Sequence, residues 1–129
     1  MAKKLFICSL VLFVSLGNYA QTNGPWQGKQ CAVVLTYDDA IEQHLDNVIP
    51  VLDSLDLKAT FYITAYSSSM KNRMNEWKQL PVHGHELGNH TLYHPCMGGP
   101  GRSWIKPEYD LRNYSVQRMI DETLSLIHI

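Results

Sequence analysis

The chain has 129 residues, with 11 Lys+Arg against 12 Asp+Glu, a formal charge of -1, and 45% hydrophobic, 18% charged and 10% aromatic residues. That length holds one ordinary domain at most. The mixed, balanced charge lacks the clustered basic patch that nucleic acid requires, the aromatic content argues against disorder, and no apolar run reaches the ~20 residues of a membrane-spanning helix.

Met1 to Lys4 is a short positive start, Leu5 to Leu16 is apolar and uncharged, and Gly17 to Ala20 turns small and polar. This is the layout of a secretory signal peptide over residues 1–20, with cleavage after Ala20, although Asn18 is a poor match to the small residue wanted there. The mature chain is thus expected to be exported, with no stable membrane insertion. Its Lys+Arg count falls from 11 to 9 against 12 acids, a charge of about -3. Three cysteines are too few for a disulfide scaffold. Cys8 leaves with the leader, and Cys31 and Cys96 remain, to pair or to stay free.

After a short linker over residues 21–30, Cys31 to Tyr37 is an apolar, β-branched run, expected as a strand buried on both faces. Glu42 to Leu55 carries Leu45, Val48, Ile49, Leu52 and Leu55 at helical spacing, with a kink predicted at Pro50. Ala59 to Ala65 reads as a second strand. Ser67-Ser68-Ser69 opens a second helix through Met70, Met74, Trp77 and Leu80, closed by Pro81. Glu86 to Thr91 is a short third strand, Pro95 to Pro107 a Gly/Pro-rich loop, and Tyr109 to Thr123 a final helix. The series is α/β with a parallel sheet. Three strands cannot close a barrel and leave an open sheet edge. Residues 124–129, L-S-L-I-H-I, match what the end of a widely used sequencing adapter encodes in one frame. They read as an adapter-derived tail, and the natural protein is expected to continue past Thr123.

The chemistry-bearing residues stand at the carboxyl ends of predicted strands, where β/α folds bind ligands. Asp38 and Asp39 end the first strand; His90 and His94 end or follow the third. An isolated Asp pair after a strand is ordinarily a solvated turn or a helix cap, and His-x-x-x-His alone is a common pattern. Together at two strand ends they offer two imidazoles and a carboxylate, a hydrolytic metal-ligand set with open positions. The second carboxylate is then free to act as a base. Adjacent strand residues face opposite ways, so Asp38 and Asp39 should not share one role, but physics alone does not rank them.

The motifs T-Y-D-D (Thr36 to Asp39), A-T-F-Y-I (Ala59 to Ile63) and G-H-E-L-G-N-H-T-L-Y-H-P (Gly84 to Pro95) resemble the polysaccharide deacetylase family, the carbohydrate esterases of family four that carry the nodulation-factor deacetylase homology domain. The resemblance covers residues 31–123, roughly the N-terminal half of that domain. It implies a partial (β/α) barrel truncated after about three strands. It also implies Asp38 as catalytic base and Asp39, His90 and His94 as ligands of a divalent metal, with zinc the default and cobalt or nickel accepted. The substrate implied is an acetylated carbohydrate. Two departures stand out. Ala40 replaces a frequent Gly after the Asp pair, and the family's later segments are missing: the Arg-Pro-containing one, the Asp-Trp type and the Leu-x-His that bears the general acid. Leu126-Ile127-His128 imitates the last but comes too soon.

The expected function is metal-dependent removal of acetyl groups from N-acetylated sugars of a polysaccharide or oligosaccharide, with this chain inactive alone. The alternatives are an O-acetyl xylan esterase and a non-catalytic glycan- or metal-binding module. His44, His83 and His85 have an ordinary structural reading. Trp77, Tyr62 and Tyr66 are expected to pack in the core, and Trp104 is the better candidate for sugar contact. The glycan, the oligomeric state and the substrate-binding residues are not legible.

Overall fold

The computed structural model describes residues 28–126. The expected signal peptide and residues 127–129 of the tail lie outside them. The chain divides at Val33 and Val34; residues 28–33 form no regular element, and the fold below begins at Val34.

Three strands form one parallel sheet in the order β1 (Thr36–Tyr37), β2 (Thr60–Ile63), β3 (Glu86–Asn89). Thr36 pairs with Thr60, and the β2–β3 ladder runs from Thr60 opposite Glu86 to Ile63 opposite Asn89. Because all three strands run the same way, Asp38, Thr64 and His90 leave the sheet at one edge. The first strand is shorter than the apolar run Cys31 to Tyr37 predicts, and Val34 is 79% exposed. Only the last residues of the run lie opposite β2. Upstream of them the described residues offer no partner, so β-branched composition alone does not make a buried strand.

The first helical segment breaks where Pro50 predicts. His44–Val48 is a π-turn, followed by α1 (Ile49–Ser54) with Pro50 in its first turn. Proline has no N–H and its ring crowds the preceding turn, so the regular hydrogen-bond ladder gives way to a wider one. The second helix, α2 (Ser68–Gln79), starts where the serine run places it: Ser67 Oγ accepts from the Met70 N–H at 3.1 Å. Arg73 on α2 reaches Glu42 at 3.0 Å and Asp46 at 2.7 Å, tying the two helical segments together.

The core lies between β2 and these helices. Phe61 and Ile63 alternate onto the same face of β2 and pack with Leu45, Ile49, Leu52, Met70 and Trp77. Trp77 is fully buried, its indole N–H donating to Ser69 Oγ at 3.0 Å. Tyr62 points the other way, and Tyr66 is on a turn, so both stay partly exposed against the core expectation. Tyr62 lies across β3, where a side chain at Gly88 would meet its ring at 2.5 Å.

The last two predicted segments end differently. β3 stops at Asn89, because Thr91 turns to φ 65°. The helix expected from Tyr109 begins only at α3 (Val116–Leu124). Asp110 accepts from the Arg112 N–H and Ser115 Oγ from the Arg118 N–H, so residues 107–113 form two short 3-10 turns, and the helix waits for the Ser115 cap. No helix among the described residues is long and apolar enough to cross a membrane.

Candidate metal centre and its cleft

β1 delivers the aspartates to the carboxyl edge of the sheet, and the backbone then turns sharply. Asp39 has φ 74° and Ala40 φ 50°, with Ala40 fully buried. This is the region glycine enters without steric cost, which gives the Ala-for-Gly departure a structural meaning. The turn is tied down from α2, as the Ser67 hydroxyl donates to the Ala40 carbonyl at 3.1 Å.

β3 delivers the histidines. The His90 N–H donates to the Ile63 carbonyl at 3.0 Å, so the ladder carries His90 to the same edge. Asn89 Oδ1 then accepts from the Thr91 N–H at 2.8 Å, and Thr91 Oγ1 accepts from the His94 N–H at 3.0 Å. Thr91 sits at φ 65° and His94 at φ 53°. A β-branched residue there is an outlier. Of the five non-glycine residues with positive φ among those described, Asp39, Ala40, Thr91 and His94 are at this edge. Such strain persists where surrounding contacts impose it and clusters at functional sites.

The result is a convergence. Asp39 Oδ1 lies 3.5 Å from His90 Nε2 and 3.7 Å from His94 Nε2, and one ligand atom from each of the three falls within 4.8 Å of the others. Two imidazoles and a carboxylate at this spacing fit a divalent cation bound at ~2.1 Å after a small closure. Asp38, the fourth predicted site residue, is exposed at the same edge, and its carboxylate makes no hydrogen bond among the described residues.

The remaining histidines separate into structural roles. His44 is 6% exposed, between Tyr37, Phe61 and Trp77, and its Nδ1 has no partner among the described residues. Burial pushes its pKa below the ordinary histidine value, against the opposing pull of Asp39 and Asp38. His83 and His85 meet Asp53 at the other end of the sheet, each at 3.1 Å. His85 Nδ1 accepts from the Ala59 N–H, which assigns the proton to Nε2, facing Asp53.

A cleft of about 370 Å³ opens beside Asp39 and His94. Its walls include Thr64, Tyr93, Trp104, Lys106 and Tyr109. The composition of the sequence points only to Trp104. Thr64 had a signal that could have found it, since it is the residue immediately after β2 at the carboxyl edge.

Known proteins resemble this chain in sequence and in fold. A sequence model described as polysaccharide deacetylase matches residues 27–128. The chain is 31% identical over 100 residues to a chitooligosaccharide deacetylase of Sinorhizobium fredii, covering 76% of this chain and 45% of that protein. It is 27% identical over 92 residues to the peptidoglycan-N-acetylmuramic acid deacetylase PdaA of Bacillus subtilis, covering 70% of this chain and 34% of that protein. The chain thus spans less than half the length of these curated relatives. Among solved structures, it is similar to the peptidoglycan deacetylase PdaC of Bacillus subtilis (TM-score 0.53, 20% identity, 70% of this chain and 38% of that one). It is equally similar to a family 4 carbohydrate esterase of Bacillus anthracis (TM-score 0.53, 22% identity, 74% and 39%). These last two bear on fold alone, and they fit the three parallel strands to part of an α/β barrel. With the strand-end motifs, the matched span and the fold in agreement, the chain belongs to the polysaccharide deacetylase family.

Proposed function

We propose that the protein is an exported, metal-dependent carbohydrate de-N-acetylase whose metal is held by Asp39, His90 and His94 and whose base is Asp38. The observation that carries this reading is the convergence of the three ligand atoms within 4.8 Å at the sheet edge. When bound there, a divalent cation, with zinc the default for this donor set, supplies Lewis-acid polarisation of an acetyl carbonyl and acidifies water. The chain's own contribution is positional. Asp39, on the strained turn, is committed to the two imidazoles. Asp38, one residue earlier, keeps a free carboxylate that accepts the proton of the attacking water. Hydrolysis then leaves acetate and a free amino sugar, once a proton donor reaches the leaving nitrogen. Among the described histidines outside the ligand set, none is placed for that donation, since His44 is buried and His83 and His85 are held by Asp53 at the opposite edge.

The substrate class, an acetylated glycan, follows the activities for which these relatives are named. The leader over residues 1–20 supports export to where such polymers lie. The experiment is acetate release with added zinc, from N-acetylglucosamine oligomers and from acetylated xylan, by the 129-residue chain and by a protein extended to the family's length. The extended protein is expected to act on the oligomers and the short chain to show no appreciable rate. Greater release from xylan moves the assignment to an O-acetyl esterase. No release from either, with zinc bound, leaves a binding module. Equal rates from both lengths would place the proton donor within the 129-residue chain.

A further inference from the structure

Asn89 is the last residue of β3, one position before a proposed metal ligand, yet the hydrolytic chemistry gives it nothing to do. Both ends of its side-chain amide are engaged. Oδ1 accepts from the Thr91 N–H at 2.8 Å, two residues on. Nδ2 donates to the Thr123 carbonyl at 2.7 Å, 34 residues on and in the last turn of α3. An amide with an N–H at one end and a carbonyl at the other satisfies both partners in a single orientation.

Each contact serves a backbone group that the regular elements leave open. Thr91 lies beyond β3, and its N–H has no strand partner among the described residues. Its φ of 65° is costly for a β-branched residue and persists only where neighbours impose it. The turn closed by Asn89 Oδ1 is one such constraint. At the other end, the last four carbonyls of a helix have no donor within the helix. Thr123 stands one residue before the end of α3, and its carbonyl takes the Asn89 amide.

The contacts run in series. The Thr123 carbonyl holds the Asn89 amide, and the amide holds the Thr91 N–H. The Thr91 hydroxyl then holds the His94 N–H at 3.0 Å, and His94 Nε2 faces Asp39 at 3.7 Å. Metal-binding histidines are ordinarily aimed by a partner on the second ring nitrogen. Apart from Asp39, no described residue engages the His94 ring in a hydrogen bond or ion pair, so its aim depends on its backbone. We propose that Asn89 is a positioning residue that ties the last turn of α3 to the turn aiming His94, so that the helix supports the metal centre. The proposal rests on the metal-centre reading of Asp39, His90 and His94, and adds to it a residue that touches no metal.

Three forms of the 129-residue chain test it. Beside the wild type, Asn89→Leu removes both contacts at similar size, and Asn89→Asp keeps the acceptor for Thr91 while losing the donor to Thr123. Circular dichroism checks folding and melting. Zinc affinity is measured calorimetrically, and the visible absorption of the cobalt(II) form reports the ligand geometry. Asn89→Leu is expected to weaken zinc about tenfold, as the loss of an outer-shell partner does, and to shift the cobalt bands. Asn89→Asp is expected to lose affinity too, though less, even though its added charge by itself favours a cation. A residue with a merely structural role would lower the melting temperature and leave zinc affinity and the cobalt spectrum of the folded chain as in the wild type; that result overturns the proposal. Wild-type affinity in Asn89→Asp overturns it as well, because the link to α3 would then count for nothing. Should Asn89→Leu fail to fold, Asn89→Asp decides alone. Failure of the metal-centre reading appears separately, as a folded wild type that binds no zinc.

Discussion

Asp38 and Asp39 are neighbours with different surroundings. Asp39 Oδ1 faces two imidazoles at 3.5 and 3.7 Å, whereas Asp38 is exposed and has no partner among the described residues. Asn at position 38 keeps the shape and cannot take a proton. In the family-length protein, Asp38→Asn is therefore expected to retain metal and lose about 10²–10⁴ in turnover, the usual worth of a general base, measured as acetate release beside a metal assay. Near-wild-type turnover with metal retained removes Asp38 from that role. Thr91 acts through the backbone, since its Oγ1 accepts the His94 N–H at 3.0 Å. Thr91→Val keeps the branching and deletes the acceptor. It should cost about 1 kcal/mol of stability and weaken metal affinity, read from a melting curve and a zinc titration; unchanged affinity would mean that His94 needs no such support. That Asp39, His90 and His94 would come to one edge was legible from residue types at strand ends. The turns that aim them were not, because Ala40 and Thr91 are not residues from which a left-handed backbone is expected.

At the scale of elements, the loop between β3 and α3 has an electrostatic fastening. The Arg112 guanidinium beside Asp110, with backbone N–H groups, holds the Asp110 carboxyl well below the usual carboxylate range. A lowered carboxylate pKa contributes stability that is present above the unfolded value of ~3.9 and lost as pH falls through the folded one. Melting temperature should thus drop below about pH 4, and Asp110→Asn should flatten that part of the profile while lowering stability at neutral pH. A profile identical to wild type would show that the pair does not hold the loop. Element types were legible where a local signal was strong: Pro50 for the break, Ser67 for the start of α2, and Phe61 with Ile63 for the inner face of β2. Tyr109 to Tyr114 misled because helical periodicity there competes with Asp110 and Ser115, whose side chains cap turns.

For the molecule as a whole, parallel strands bring separate motifs to one edge of the sheet. The sequence pattern supports that much, since alternating strand and helix segments imply a parallel sheet. It does not reveal how far β1 extends, because burial depends on neighbours: Val34 belongs to an apolar run yet is exposed. On α3, Val116, Ile120 and Leu124 likewise form an exposed stripe at four-residue spacing. Tyr62 and Tyr66 were misjudged for a related reason, as aromatic composition does not say which face of a strand or turn is covered. The central claim is that the edge shared by β1 and β3 makes one metal centre. It is tested most directly by calorimetric titration of zinc into the 129-residue chain and into Asp39→Asn, His90→Ala and His94→Ala. One zinc per chain is expected, with each substitution weakening it at least about tenfold, since even outer-shell partners of a metal are worth that much. No zinc bound by the folded wild type, or binding that all three substitutions leave unchanged, would contradict the account.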